Sequence, residues 1–152
     1  MFEKIKKRKQ LNELAKVEEE KAEFYELAVS CFEGGSANIN GHADSIVEEY
    51  NKVAENCKQG EIISKEDFDE MFNYTQDREY PFFLNRYYDL EQKHKFLINS
   101  SLVSDEEKQK ITEMFKKAHE NIKGALKKIS KSIDDCQSTI IEYATKKNQR
   151  VR

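Results

Sequence analysis

The last 45 residues of the chain carry one apolar stripe that repeats every eleven positions. Ile111, Ile122 and Ile133 form one track, Met114, Ala125 and Cys136 a second, and Ala118, Ile129 and Ile140 a third. Eleven residues over three turns is about 3.67 per turn, so the stripe stays on one side of a nearly straight helix. About forty such residues span ~60 Å at roughly 1.5 Å each. A helix with so long an apolar face needs other helices to cover it. The pattern therefore predicts an all-α fold.

Composition agrees. In 152 residues there are one proline, five glycines and no tryptophan, and 36% of the side chains are charged. Such a chain suits solvated helices around a modest core, whereas a sheet protein needs more β-branched residues and turn glycines. Its size fits a single domain spanning residues 1–152. Cys31, Cys57 and Cys136 make no C-x-x-C pair and are odd in number, which reads as three reduced thiols in a cytoplasmic protein. No apolar h-region follows the basic start, and no run approaches the ~20 apolar residues of a membrane span.

Five helices are expected in an elongated bundle, long first and last helices pairing and three shorter ones packing across them. The first runs from Phe2 to Phe32, its seam being Leu11, Ala15, Ala22, Tyr25, Val29 and Phe32, interrupted by Glu18. A second seam holds Leu14, Val17, Phe24, Ala28 and Cys31, and the charged segment before Leu11 reads as a projecting end. Gly34–Gly41 reads as a loop, and Ser45 with Glu48 as a capping box opening helix two, whose stripe is Ile46, Tyr50, Val53 and Cys57. Ser64 with Asp67 opens a short third helix. Pro81 fits the first turn of the fourth, where Phe83, Tyr87, Leu90, His94 and Leu97 repeat. Ser104 with Glu107 caps the fifth.

Charge is segregated. Residues 13–91 carry a net of −13, residues 108–152 a net of +7 and residues 1–12 a net of +4. The simplest account is a basic last helix lying against acidic elements of the same fold. Lys116, Lys123, Lys127 and Lys131 stand opposite its apolar stripe, with further basic residues at both termini. Clustered lysines can neutralise phosphates, so nucleic-acid binding through this face is one alternative function. Glu113, Glu120, Asp134 and Asp135 interrupt the face and favour a solvated surface instead.

Catalytic and metal motifs are weak. Glu91 and His94 match the E-x-x-H spacing of di-iron bundles once, but a second copy is missing because Lys116 precedes His119. Glu55–Glu66 has glycine, isoleucine and glutamate at three places of a calcium loop, yet Cys57 and Gln59 sit where hard oxygen ligands belong. No phosphate-loop, dinucleotide or nucleophile-elbow motif occurs. Neither an enzyme nor a bound metal or cofactor is expected.

The segment from Phe72 to Phe96 holds eight of the sixteen aromatic residues. One helical face can bury Phe83 and Tyr87, which leaves Tyr80, Phe82 and Tyr88 to be covered by another helix or exposed. Exposed aromatics beside Arg78 and Arg86 have the composition of a protein-binding hot spot. The function expected is thus a non-enzymatic protein-binding module, an inhibitor, adaptor or regulator, using these residues and the acidic middle helices. A small acidic chain without motifs also fits a bacterial, phage or mobile-element protein that blocks a host factor. Self-assembly through the last helix is a second alternative, with His94 as a pH-responsive element near pH 6.

Overall fold

The computed structural model describes residues 2–151, save for the side chains of Phe24, Ala28, Cys31, residues 34–37 and residues 149–151. It is all-α. Helix α1 spans Phe2–Lys58, α2 Lys65–Tyr74, α3 Tyr80–Ile98 and α4 Asp105–Val151. A π-helical turn at Thr75–Glu79 joins α2 to α3.

The expected loop at Gly34–Gly41 is not a loop. Residues assigned to two helices form one, and two short helices, rather than three, separate α1 from α4. Ser45 caps nothing; its hydroxyl donates to the Gly41 carbonyl one turn back, 3.2 Å away. A glycine inside a helix costs about 1 kcal/mol. Against that, Phe32, Ile39 and Ile46 are buried on α1, each contributing ~1.5–3 kcal/mol when covered. Tyr25, Phe32, Ile39, Ile46 and Val53 fall seven residues apart, and that spacing crosses the glycines unbroken. Burial outweighs local propensity.

The chain forms three rods. Asp44 pairs with Lys128 at 2.5 Å, Val47 accepts from the Ser132 hydroxyl, and Phe32 meets Phe115 edge to face. Partner numbers rise together, so α1 and α4 lie parallel, about 84 residues out of register. The α2–π–α3 rod runs back between them: Tyr50 meets Phe68, His42 meets Phe82, Tyr87 meets His119 and His94 meets Thr112. One continuous core joins all four α-helices.

The α4 stripe is buried as its repeat requires, with Ile111, Ala118, Ile122, Ala125, Ile129, Ile133 and Cys136 inside and Met114 and Ile140 packed at the edge. Ser132 is also buried, on the α1 side, where it reaches Asn51. The caps at Ser64 and Ser104 form as expected: Ser64 Oγ accepts from the Asp67 amide at 3.1 Å, and Ser104 and Glu107 exchange two bonds of 3.2 Å. Gly124 marks no close approach, because a Cβ there would meet nothing within 4 Å.

The expected charge complementarity is thin. Among the described residues, Asp44–Lys128 is the one carboxylate–lysine pair joining α1 to α4, and the other lysine pairs are three or four residues apart on one helix. The first-helix seams also fail to bury over their N-terminal part. Residues 2–20 are exposed throughout, because α4 begins only at Asp105, level with about residue 21. Phe24, Ala28 and Cys31 of the second seam lie outside the described side chains, and Arg150 and Arg152 of the basic terminus likewise.

Candidate protein-binding surface on α3

Pro81 sets the position of α3. It has no amide hydrogen for the Asp77 carbonyl, and its ring would crowd that oxygen in a regular helix. The turn widens instead, and the Tyr80 amide donates to the Thr75 carbonyl five residues back. Widening of this kind is a recognised relief of local strain in helices. Pro81 then occupies the first turn of α3, as its chemistry predicts.

From that start, α3 divides its aromatic residues. Phe83, Leu90 and Leu97 point into the core. Tyr87 and His94 face α4, where both stack on Phe115, at centroid distances of 6.0 and 4.6 Å. Tyr80 is half-buried against the core. Its phenol pKa is raised by burial and by the Asp134 carboxylate on α4. Half of the aromatic stretch is therefore structural.

Of the remaining residues, Tyr74 on α2 and Phe96 in the last turn of α3 are exposed, and the others form two patches on different sides of α3. Leu84 is 55% and Tyr88 61% exposed, one turn apart on the outer face. Phe82 lies ~120° around the helix from Tyr88, at 100° per residue, in the groove between α3 and α1. Its ring stands 4.7 Å from His42 and 5.6 Å from Phe83, and the Arg86 guanidinium lies 5.9 Å above it. His42 binds Glu79. Arg86 Nε is buried with no acceptor, an uncompensated donor beside a partly open aromatic ring. Arg78 is exposed on the π-helical turn.

Tyr80, Phe82 and Tyr88 are thus not one cluster. Sequence reasoning missed Leu84, although its four-residue spacing to Tyr88 on the side away from Phe83 and Leu90 carried the signal. It also missed His42 and Glu79, 37 residues apart, which no local pattern joins. On α2, Glu66, Asp67, Asp69 and Glu70 are exposed and form the acidic flank of the same rod.

Lys116, Lys123, Lys127 and Lys131 are all exposed on the outer face of α4, over ~22 Å at 1.5 Å per residue. No ion pair engages them among the described residues. Glu113, Glu120 and Asp134 are exposed beside them.

The metal-like spacings sit in structural roles. Glu91 pairs with Lys95 at 3.2 Å, and this bond, with one from Tyr87, holds its carboxyl pKa down. His94 Nε2 lies 3.0 Å from the Thr112 hydroxyl. The Glu55–Glu66 segment is a helix end and cap: Cys57 points inward, Gly60 takes the left-handed φ of 98°, and Ser64 starts α2. Among the described residues, no three His, Cys, Asp or Glu converge on a metal position, and no helix is long and apolar enough to cross a membrane.

No family model matches the chain, and neither a curated protein nor a solved structure shows significant similarity to it. The class that the fold defines is an all-α bundle with two long parallel helices joined by a kinked return rod.

Proposed function

We propose that the protein is a non-enzymatic binding module, acting in a bacterial or phage-infected cytoplasm as an inhibitor, adaptor or regulator of a protein partner. The observation that supports this reading is Leu84 with Tyr88: two large side chains more than half exposed, one turn apart, on an ordered helix. An ordered aromatic loses little entropy on binding and supplies much contact area, which is why Tyr and Arg dominate interface hot spots. Phe82 with Arg86 in the adjoining groove adds a second anchor. Arg86 there, and Arg78 exposed on the π-helical turn, suit a carboxylate or carbonyl on the partner, and the exposed carboxylates of α2 suit a basic rim.

The test is affinity capture from bacterial lysate with nuclease present, comparing the wild-type chain with Leu84→Ser/Tyr88→Ala and with Phe82→Ala. A stoichiometric protein held at high salt by the wild type and lost by the α3 variants, at unchanged helicity, is the expected result. Capture that ignores all three substitutions overturns the surface.

The four unpaired lysines of α4 support a second reading, nucleic-acid binding. It expects binding to a duplex at low salt that falls steeply as salt rises, and loss on Lys123→Glu/Lys127→Glu/Lys131→Glu. No binding at low salt ends that reading.

A further inference from the structure

The α1 seam does not stop where the bundle stops. The track that buries Phe32, Ile39 and Ile46 continues towards the N-terminus by steps of seven through Tyr25, Glu18, Leu11 and Lys4. Its companion continues from Val29 through Ala22, Ala15 and Arg8. Among the described residues nothing covers this extension: Leu11 is 64% and Leu14 61% exposed, on ~28 Å of helix beyond the start of α4. Apolar seam residues at this spacing call for a second helix.

The charges say which helix. Residues 2–10 carry a net of +4 and residues 11–23 a net of −3, so the projection is basic at its tip and acidic at its base. A second copy laid antiparallel sets tip against base. Read along the seam, the order is Lys4, Arg8, Leu11, Ala15, Glu18, Ala22. Reversed against itself, it sets Leu11 opposite Ala15 and Arg8 opposite Glu18, twice each about a two-fold axis, with Leu14 flanking that axis. The tip then reaches the level of residues 21–23 of the other copy, where α4 begins with Asp105, Glu106 and Glu107. Lys4, Lys6 and Lys7 arrive beside three carboxylates. A parallel pairing would instead stack tip on tip, like charge on like.

We propose that two copies of this chain associate through an antiparallel coiled coil of their projecting α1 segments, residues 4–22. The pairing is isologous and closed, so it stops at a dimer. It leaves α3 free and stands independently of the binding surface proposed there. The α4 stripe, by contrast, is already covered within one chain.

The test is sedimentation equilibrium of the full chain. The wild type is expected at twice the 17.9 kDa of one chain within roughly 10–100 µM. Leu11 and Leu14 are exposed in the single chain, so Leu14→Asp is expected to give a folded monomer. Arg8→Glu and Glu18→Arg each set like charges together and are expected to weaken association by about tenfold or more. An equimolar mixture of those two variants restores both opposite-charge pairs, and dimer should return; the loss in each single variant marks the antiparallel register, because in a parallel one either substitution only exchanges one like-charge pair for another. A wild-type monomer throughout overturns the proposal, as does a dimer indifferent to Leu14→Asp or a mixture without rescue. So does a monomer whose projection binds vesicles of anionic lipid and loses that binding on Leu14→Asp, since it assigns the stripe to a membrane surface.

Discussion

The hydroxyls of Tyr50 and Thr75 meet at 2.6 Å in the interior, where α1 crosses the first residue of the π-helical turn. Both hydroxyls also reach the Met71 carbonyl, Thr75 at 3.2 Å and Tyr50 at 3.4 Å, so the two side chains share one acceptor. This bond ties the kink made by Pro81 to the C-terminal quarter of the long helix. Tyr50→Phe is expected to cost about 1 kcal/mol. In a double-mutant cycle with Thr75→Val, the coupling should be about 0.5–1.5 kcal/mol by urea denaturation. Additive losses would show that the two hydroxyls do not act together.

Continuity of α1 predicts the sign of a glycine substitution. Gly41 lies inside the helix with open space at its Cβ position, and Gly124 does the same in α4. Gly41→Ala and Gly124→Ala should each stabilise the fold by about 0.5–1 kcal/mol. That corresponds to about 1–4 °C in Tm, read by thermal melting. A left-handed loop at Gly41 would give the opposite sign.

His94 stacks on Phe115 at 4.6 Å and bonds Thr112, whose own hydroxyl donates to the Lys108 carbonyl. Burial lowers its pKa from 6.5. The unfolded chain therefore takes up a proton first as pH falls, and stability present above pH 6.5 is lost through the lowered folded-state pKa. Urea midpoints should fall between about pH 6.5 and 5, and His94→Gln, which keeps a donor for Thr112, should flatten that slope. A wild-type midpoint constant over this range would contradict the packing.

At the alkaline end the sign is set by Cys136. Burial, with Cys57 nearby, pushes its thiol up to about 11 from 9.0, and burial raises Tyr50 as well. The unfolded state ionises first, so stability held below pH 9 is lost as pH rises towards about 11. In the native state at neutral pH, Cys57 and Cys136 should resist a thiol reagent and react only on unfolding. Rapid labelling of both in the folded protein would refute this.

Ile129 is fully buried on the third track of the α4 stripe. Ile129→Ala is expected to cost about 2–5 kcal/mol in chemical denaturation. Tyr88→Ala, on the open face of α3, should stay within about 0.5 kcal/mol. That contrast separates core from surface among residues whose chemistry alone does not.

What the sequence by itself determined lies within a few residues of chain. The eleven-residue repeat decided which side of α4 is buried, Ser64 and Ser104 with their partners three residues on decided two helix starts, and Pro81 decided where α3 begins. Each rests on helix periodicity, on hydrogen bonds between near neighbours or on proline's missing amide hydrogen, and none of these needs the rest of the molecule. Tertiary structure decided the continuity of α1, the parallel pairing of α1 with α4, and the division of the α3 aromatics between core and surface. The glycines from Gly34 to Gly41 argue locally for a break, by about 1 kcal/mol each. The buried side chains on either side of them are covered by α4, some 84 residues away, and that covering decides the outcome. Likewise nothing near Tyr88 or Phe82 in the chain says which side of α3 the other rods will occupy. Local chemistry sets which helices can form, and burial between distant helices sets where they end and which faces they leave to solvent.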